Sequence, residues 1–163
     1  MLNVENVTEL NLQPNKKHLS EIEEWLKQEW NETRKGFYCN WSVIAEAFEK
    51  GNLNLITEND SAVGFMAYRI YDLTAVIDIV EIEPSKRKNG LAKKLVVETL
   101  GFLKSKGVLT IELFCSPENS EPFWKRIGFF RRGILEETTT ADSTCFSSPT
   151  NRRICKSDGR ICN

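Results

Sequence analysis

A strand, a turn and a helix in the middle of the chain constrain its fold more than any other segment. Residues 74–82 are rich in β-branched side chains, as a buried central strand should be. Residues 91–103 carry apolar side chains at helical spacing and predict an amphipathic helix. The next apolar segment, residues 108–114, predicts a second strand. Together the three elements predict a parallel strand pair joined by a crossover helix.

The segments before this unit predict helices and a hairpin. Apolar stripes within residues 16–30 and 41–48 predict two short helices. Residues 53–57 and 62–70 flank a polar turn and predict an antiparallel hairpin. Antiparallel strands before a parallel pair predict an α/β fold with a mixed central sheet flanked by helices. A chain of 163 residues is long enough for one such core and too short for two.

The character of the chain changes beyond Gly133. Residues 136–150 are rich in Thr and Ser without a helical or strand period, and they predict a long polar loop. Residues 152–162 are typical of a hairpin with Asp158-Gly159 in its turn. We therefore expect one domain over residues 1–136, with the loop and hairpin of residues 137–163 attached to it. The sequence leaves open whether this tail mediates a homodimer.

Composition excludes several classes of function. The formal net charge of -1 provides no global attraction to nucleic acid or to an anionic membrane. No stretch approaches the eighteen or so apolar residues of a membrane span, and the N-terminus lacks the pattern of a signal peptide, so we expect a cytoplasmic protein. His18 is the only histidine and the cysteines are widely spaced, so we expect no metal site.

The turn between the central strand and its helix predicts an anion site. The first amides of a helix lack intrahelical acceptors and lie at the positive end of the helix dipole. Gly90 can adopt positive φ and lets a ligand approach the backbone. Between Pro84 and Lys106 there are seven basic residues and one acid. The chain has neither Gly-x-Gly-x-x-Gly nor Gly-Lys-Ser/Thr, so a diphosphate group outside the two common nucleotide folds is the expected ligand.

Two blocks of residues then identify a family. Arg87-Lys88-Asn89-Gly90-Leu91-Ala92, preceded by Ile82-x-Pro84, fits the Arg/Gln-x-x-Gly-x-Gly/Ala signature of the GCN5-related N-acetyltransferases. Residues 112–116 and 122–129 resemble the fifth strand, fourth helix and Gly-Phe pair of that family. The resemblance covers roughly residues 16–136. It implies that the two central strands splay apart to admit the pantetheine arm of acetyl-CoA, which would serve as co-substrate.

The resemblance also implies how acetyl-CoA would be held. The backbone of the central strand would pair with the pantetheine amides, the turn would enclose the diphosphate, and two aromatic residues would wall the thioester end. Asn119 lies near the place of a coenzyme contact in relatives, although we favour a role as helix N-cap. The implied cofactor-binding residues are Val80, Glu81, Ile82, Arg87, Lys88, Asn89, Gly90, Leu91, Ala92, Lys93, Asn119, Phe123 and Trp124.

Acetyl transfer to an amine requires a base, because a lysine-like amine with a pKa near 10.4 is mostly protonated at neutral pH. The candidate bases are the acids of the two central strands, Asp78, Glu81, Glu83 and Glu112. Glu112 lies in an apolar strand, where burial would raise its pKa, although a half-exposed structural role stays open, and Glu81 could instead hold a water or the substrate amine. The usual tyrosine acid of the family is replaced by Trp124, whose indole cannot supply a proton. The proton would come instead from solvent or from another hydroxyl, with Tyr68 and Tyr71 as candidates.

The resemblance implies one function, and the replacement of the tyrosine by Trp124 leaves a second one open. The first is an acetyl-CoA-dependent N-acetyltransferase that acts on a primary amine of a small molecule, peptide or protein. The second is a coenzyme-A-binding module with little or no transfer activity. Residues 31–40 connect the first two helices and are the expected border of the acceptor, whose identity the sequence does not name.

Overall fold

The computed structural model describes residues 7–114, 120–131 and 151–155. The helices are α1 (Lys16–Thr33), α2 (Trp41–Glu49), α3 (Leu91–Ser105) and α4 (Glu121–Ile127). The strands are β1 (Thr8–Asn11), β2 (Leu53–Glu58), β3 (Ser61–Tyr71), β4 (Thr74–Ile82), β5 (Thr110–Phe114), β6 (Phe130–Arg131) and β7 (Asn151–Cys155).

The strands form one sheet in the order β1-β2-β3-β4-β5-β7-β6. The pairs from β1 to β4 are antiparallel, and the pairs from β4 through β5 and β7 to β6 are parallel. The predicted mixed sheet flanked by helices is therefore confirmed. The edge strand β1 was not predicted, and β7, which lies between β5 and β6, was predicted only as the first arm of a separate hairpin. The turn and second arm of the predicted C-terminal hairpin lie outside the described residues.

Local patterns explain where the helices begin and end. Asn15 caps α1, because its Oδ1 accepts from the amide of His18 at 3.1 Å while the His18 ring accepts from the amide of Asn15 at 3.2 Å. His18 is only 2% exposed, so the single histidine is used in this cap. Gly90, with φ of +76°, precedes the first residue of α3, which runs from Leu91 as the apolar spacing predicts.

A core lies on each face of the sheet. On one face α3 packs on the sheet, and the buried residues include Ile77, Leu95, Leu100, Ile111 and Trp124. On the other face α1 and α2 pack on the first strands, with a core that includes Ile22, Leu26, Ile44, Phe65 and Ile79. In the described residues, no helix combines the length and the apolarity that crossing a membrane requires.

Strand β4 changes face in its middle. Tyr68 of β3 pairs with Ile77, but the preceding residue, Ala67, pairs with Ile79, so Asp78 is the extra residue of a β-bulge. Ile77 therefore belongs to the α3-side core, while Ile79 belongs to the α1-side core. On its other edge β4 pairs with β5 only as far as Ile77, opposite Leu113. Beyond that point β4 continues to Ile82 without a partner on this edge among the described residues.

Candidate active site

A cleft of about 610 Å³ opens where β4 and β5 separate. The β4 residues from Ile77 to Ile82 form its floor, and the turn and first residues of α3 form one end. Phe123 and Trp124 of α4 and Phe114 of β5 line the opposite wall. Phe37, from the connection between α1 and α2, also lines the cleft. The cleft thus joins the predicted anion turn to the predicted acceptor-side connection.

The turn at the head of α3 presents a row of backbone donors. Lys88 and Gly90 both have positive φ, of +67° and +76°. None of the backbone amides from Lys88 to Lys93 has a hydrogen-bond acceptor within the described part of the chain. A Cβ placed on Gly90 would meet no atom within 4 Å, so the space above this residue is open. The turn has the donor geometry that suits a phosphate group.

The lysines around the turn divide into two groups. Lys86 forms an ion pair with Glu58, and the Nζ atom of Lys94 donates to the carbonyl of Thr8 at 2.6 Å. These two ammonium groups are therefore already engaged elsewhere in the protein. Lys88 and Lys93, for which no ion pair is found among the described residues, also line the cleft and lie in the segment of open amides.

The exposed edge of β4 and the aromatic pair of α4 bound the middle of the cleft. Val80 and Ile82 pair with Met66 and Gly64 of β3 on one side, and their other edge faces the cleft. Trp124 is 8% exposed and makes an edge-to-face contact with Phe123, with 5.0 Å between ring centroids. A similar contact to Phe129, at 5.3 Å, fixes the indole from its other side. The wall of the cleft at this level is therefore rigid and apolar.

Glu81 brings a carboxylate to the cleft. Its Oε1 atom accepts from the amide of Ile82 at 3.0 Å and from the Nη2 atom of Arg87 at 3.1 Å. Burial raises the pKa of the Glu81 carboxyl, although Arg87 and the Ile82 amide act in the opposite direction. The other oxygen, Oε2, accepts no hydrogen bond from the described residues. Glu81 thus has one anchored oxygen and one that is available to a ligand.

Arg87 has a different set of contacts from those that its place in the turn predicts. Its Nε atom donates to the carbonyl of Ile82 at 3.0 Å, and its Nη1 atom lies 2.7 Å from Oε1 of Glu29. Together with the bond to Glu81, these contacts hold the guanidinium against β4 and α1. The structure shows the Arg87 guanidinium engaged by two carboxylates, and a diphosphate contact by this side chain stays a prediction.

Comparison with known proteins identifies the family. Residues 13–129 match the Acetyltransferase (GNAT) family. The chain belongs to this family. The resemblance that the sequence motifs indicated is therefore confirmed.

Relatives agree with this assignment. The chain is 33% identical over 89 residues to GCN5-related N-acetyltransferase 3, chloroplastic, from Arabidopsis thaliana. That match covers 54% of this chain and 37% of the relative, so the chain spans well under half of that protein.

Solved GNAT structures have the same fold. A GNAT family acetyltransferase from Brucella melitensis, in complex with acetyl-CoA, is 12% identical with a TM-score of 0.59, over 73% of this chain and 82% of that one. Aminoglycoside N-acetyltransferase AAC(6')-Iy, in complex with CoA, is 20% identical with a TM-score of 0.58, over 89% of this chain and 100% of that one.

Two other predicted catalytic residues of this GNAT chain lie away from the cleft lining. Glu112 pairs with Val76 in the closed part of the sheet, and its neighbours Ile111 and Leu113 are buried on the α3 side. Its side chain therefore points to the opposite face, below the level at which the strands separate. Tyr68 is 1% exposed, and its hydroxyl donates to Oδ1 of Asn54 at 3.4 Å in the core. Burial raises the pKa of this phenol.

The remaining predicted site residues are mostly brought together. Val80, Glu81, Ile82, Arg87, Lys88, Gly90, Leu91, Ala92, Lys93, Phe123 and Trp124 all line the cleft. Asn89 lies in the turn between two of these residues. Asn119 lies outside the described residues, and the N-cap position of α4 is occupied by Ser120. Ser120 makes no side-chain cap hydrogen bond, and both roles considered for Asn119 stay predictions.

Sequence reasoning missed Glu29. This residue lies on the same helical stripe as Ile22, Trp25 and Leu26, all of which are buried. Glu29 itself is 8% exposed, and its Oε2 atom is buried without a hydrogen-bond partner among the described residues. The signal was available, because an acid on an apolar stripe is an exception that needs an explanation. Across the described residues, no cluster of three or more His, Cys, Asp or Glu suited to a metal is found.

Proposed function

We propose that this GNAT chain is an acetyl-CoA-dependent N-acetyltransferase that transfers the acetyl group to a primary amine by direct attack on the thioester. One observation carries the proposal. The cleft leads from a row of open backbone amides, past an unpaired strand edge, to the half-buried carboxylate of Glu81. The three parts suit, in order, a diphosphate, a pantetheine arm and an amine.

The amides from Lys88 to Lys93 would hold the diphosphate, with Lys88 and Lys93 adding charge. The edge of β4 at Val80 would pair with an amide of pantetheine, in the way that a further strand would, since the amide and carbonyl of Ile82 are already engaged by Glu81 and Arg87. Phe123 and Trp124 would exclude water from the thioester. Most of these contacts use backbone groups, so binding of the co-substrate requires few specific side chains.

Glu81 would act as the base. The attacking amine must be neutral, and a carboxylate whose pKa is raised by burial takes a proton more readily than an exposed one. The amine nitrogen attacks the thioester carbonyl, its surplus proton passes to Glu81 directly or through a water, and the C–S bond breaks as the amide forms. We prefer Glu81 to Glu112 because only Glu81 lines the cleft.

The departing thiolate would take its proton from solvent. Trp124 stands where relatives carry a tyrosine, and an indole is a hydrogen-bond donor that does not release its proton in the usual pH range. The Tyr68 hydroxyl donates to Asn54 in the core, and Tyr68 is not among the residues that line the cleft. A thiolate is a good leaving group, so transfer does not depend on a side-chain acid.

The acceptor is proposed to be the amine of a small molecule or of a peptide or protein. The comparison with an aminoglycoside N-acetyltransferase supports an amine, and the name of the Arabidopsis relative supports N-acetylation. Phe37 places the connection between α1 and α2 beside the cleft, which supports its role at the acceptor. The proposed compartment is the cytoplasm. Whether the protein forms a homodimer is an open question.

A thiol-release assay tests the proposal. Acetyl-CoA is supplied together with pooled amines, amino-acid amides or peptides as acceptors, and the release of coenzyme A is measured. We expect turnover above the rate of hydrolysis with at least one class. Its kcat/KM should rise with pH through an apparent pKa above that of an ordinary glutamate. Glu81→Gln should lower kcat by about 10²–10⁴-fold and keep acetyl-CoA affinity within a few-fold.

The alternative is a coenzyme-A-binding module with little or no activity. The specific observation in its favour is Trp124 at the tyrosine position. Saturable binding of acetyl-CoA without turnover on any acceptor would favour this module and contradict the transferase.

A further inference from the structure

The buried carboxylate of Glu29 is the unexplained polar group of the site. It lies on the apolar stripe of α1, where its only ion-pair partner among the described residues is Arg87. A buried charge is costly unless it is paired, so a glutamate at this place needs a compensating role. The contacts of Glu29 with Arg87 and Gly36 indicate that role.

Two carboxylates share one guanidinium. Arg87 reaches Oε1 of Glu29 through Nη1 at 2.7 Å and Oε1 of Glu81 through Nη2 at 3.1 Å. Its third contact, from Nε to the carbonyl of Ile82, fixes the plane of the group against β4. The side chain of Arg87 is 37% exposed, whereas those of Glu29 and Glu81 are 8% and 16% exposed. One cation therefore serves two acids that are each more buried than itself.

The fit around Glu29 is close. Gly36, in the connection after α1, has φ of +91°, and a Cβ placed on it would lie 2.6 Å from Oε2 of Glu29. The connection thus packs directly on the carboxylate and holds it toward Arg87. Oε2 has no hydrogen-bond partner in the described part of the chain, so its charge is only partly compensated.

We propose that Glu29 is a positioning residue of this site, which fixes the place of the Glu81 carboxylate and its readiness to take a proton through the Arg87 guanidinium that they share. The proposal rests on the proposed function for the assignment of Glu81 as base. It goes beyond that function by adding a residue of α1 that touches neither co-substrate nor acceptor.

The charges around Glu81 determine the direction in which each neighbour shifts its pKa. The charged groups that face it are Arg87, from the turn after β4, and Glu29, from α1. Its paired position on β3 is the apolar Phe65. Glu29 raises the pKa of Glu81 because the two carry like charges, and Arg87 lowers it. Removal of the two partners should therefore shift the titration of Glu81 in opposite directions.

The test is a titration of the glutamate side-chain carboxyls by ¹³C NMR, with the Glu81 resonance assigned by its loss in Glu81→Gln. Glu29→Gln should lower the pKa of Glu81, and Arg87→Met should raise it by a larger amount, because Arg87 both attracts and hydrogen-bonds the Glu81 carboxylate. The matched control is Glu24→Gln, which removes an exposed acid from the same helix and should leave the titration unchanged. Urea unfolding of each variant checks that the comparison is made on folded protein.

A kinetic measurement complements the titration. On the acid side of its pH profile, kcat/KM of Glu29→Gln should rise at a lower pH than in the parent, in step with the lowered pKa of Glu81. A stability loss alone would lower the amount of active protein without moving this side of the profile. If Glu29→Gln leaves the Glu81 titration where Glu24→Gln leaves it, the proposal is overturned, whatever the activity. If the parent protein shows no acetyl transfer, the proposed function fails, and the NMR titration still decides whether Glu29 acts on Glu81.

Discussion

The charge of one side chain at position 90 should decide whether the turn accepts a diphosphate. Gly90 has φ of +76° and open space where a Cβ would lie. Aspartate and asparagine are the L-residues that best tolerate this conformation, and they have nearly the same size. Gly90→Asp and Gly90→Asn therefore carry the same backbone strain, of about 1–2 kcal/mol, and differ only in charge.

The magnitude follows from the geometry of the turn. A carboxylate on residue 90 would project into the space that the open amides from Lys88 to Lys93 face. At about 5 Å from a phosphate charge and an effective dielectric constant of about 20, the repulsion is about 3 kcal/mol. Screening at physiological salt offsets the added repulsion from the second phosphate. We therefore expect Gly90→Asp to bind acetyl-CoA about 100-fold more weakly than Gly90→Asn.

Isothermal titration calorimetry of acetyl-CoA into both variants and the parent measures this difference. Gly90→Asn should bind more weakly than the parent but more tightly than Gly90→Asp, because it shares the steric and backbone cost of the aspartate and lacks its charge. The gap between the aspartate and asparagine variants should narrow as the salt concentration rises. Equal affinity of the two variants would refute the reasoning, since it would mean that no anion lies at this turn.

Two further pairs of variants test neighbouring features. Lys93→Ala should weaken acetyl-CoA binding about tenfold in the same calorimetric assay, while Lys94→Ala, whose ammonium is tied to β1, should leave it within about twofold. An equal effect of both would contradict the division of the lysines. Gly36→Ala should lower the free energy of unfolding by about 1 kcal/mol more than Gly51→Ala in urea. Both glycines have positive φ, but only a Cβ on Gly36 would meet Glu29, and equal losses would contradict that close contact.

The main elements could be predicted because their signals are local. Residues 74–82 carry the β-branched composition of a strand, and β4 has those bounds. The apolar spacing of residues 91–103 predicted a helix, and α3 runs from Leu91 to Ser105. Strand β1 has only four residues, and its existence depends on pairing with β2, which no local pattern of residues 8–11 reveals.

The residues of the site likewise fall into those whose place follows from a local pattern and those whose place depends on tertiary packing. A positive φ at Gly90 is a demand of the turn itself, so the turn could be predicted from the motif. The engagement of Arg87 could not, because its partner Glu29 lies on a helix distant in sequence and meets it only after α1 has packed on the sheet. A basic residue in an anion-binding motif was therefore predicted as a ligand contact alone, and its contacts with the two carboxylates were missed.

The position of Glu81 depends on a single residue. With strict alternation along β4, Ala75, Ile77, Ile79 and Glu81 would all point to the α3-side core, and the glutamate would be buried among apolar side chains. The bulge at Asp78 reverses the alternation, so Ile79 packs under α1 and Glu81 follows it toward Glu29 and Arg87. The carboxylate of Asp78 is itself held by the guanidinium of Arg69, with Nε to Oδ2 at 2.7 Å. The extra residue therefore directs the proposed base to the α1 side of the sheet, where Glu29 and Arg87 meet it.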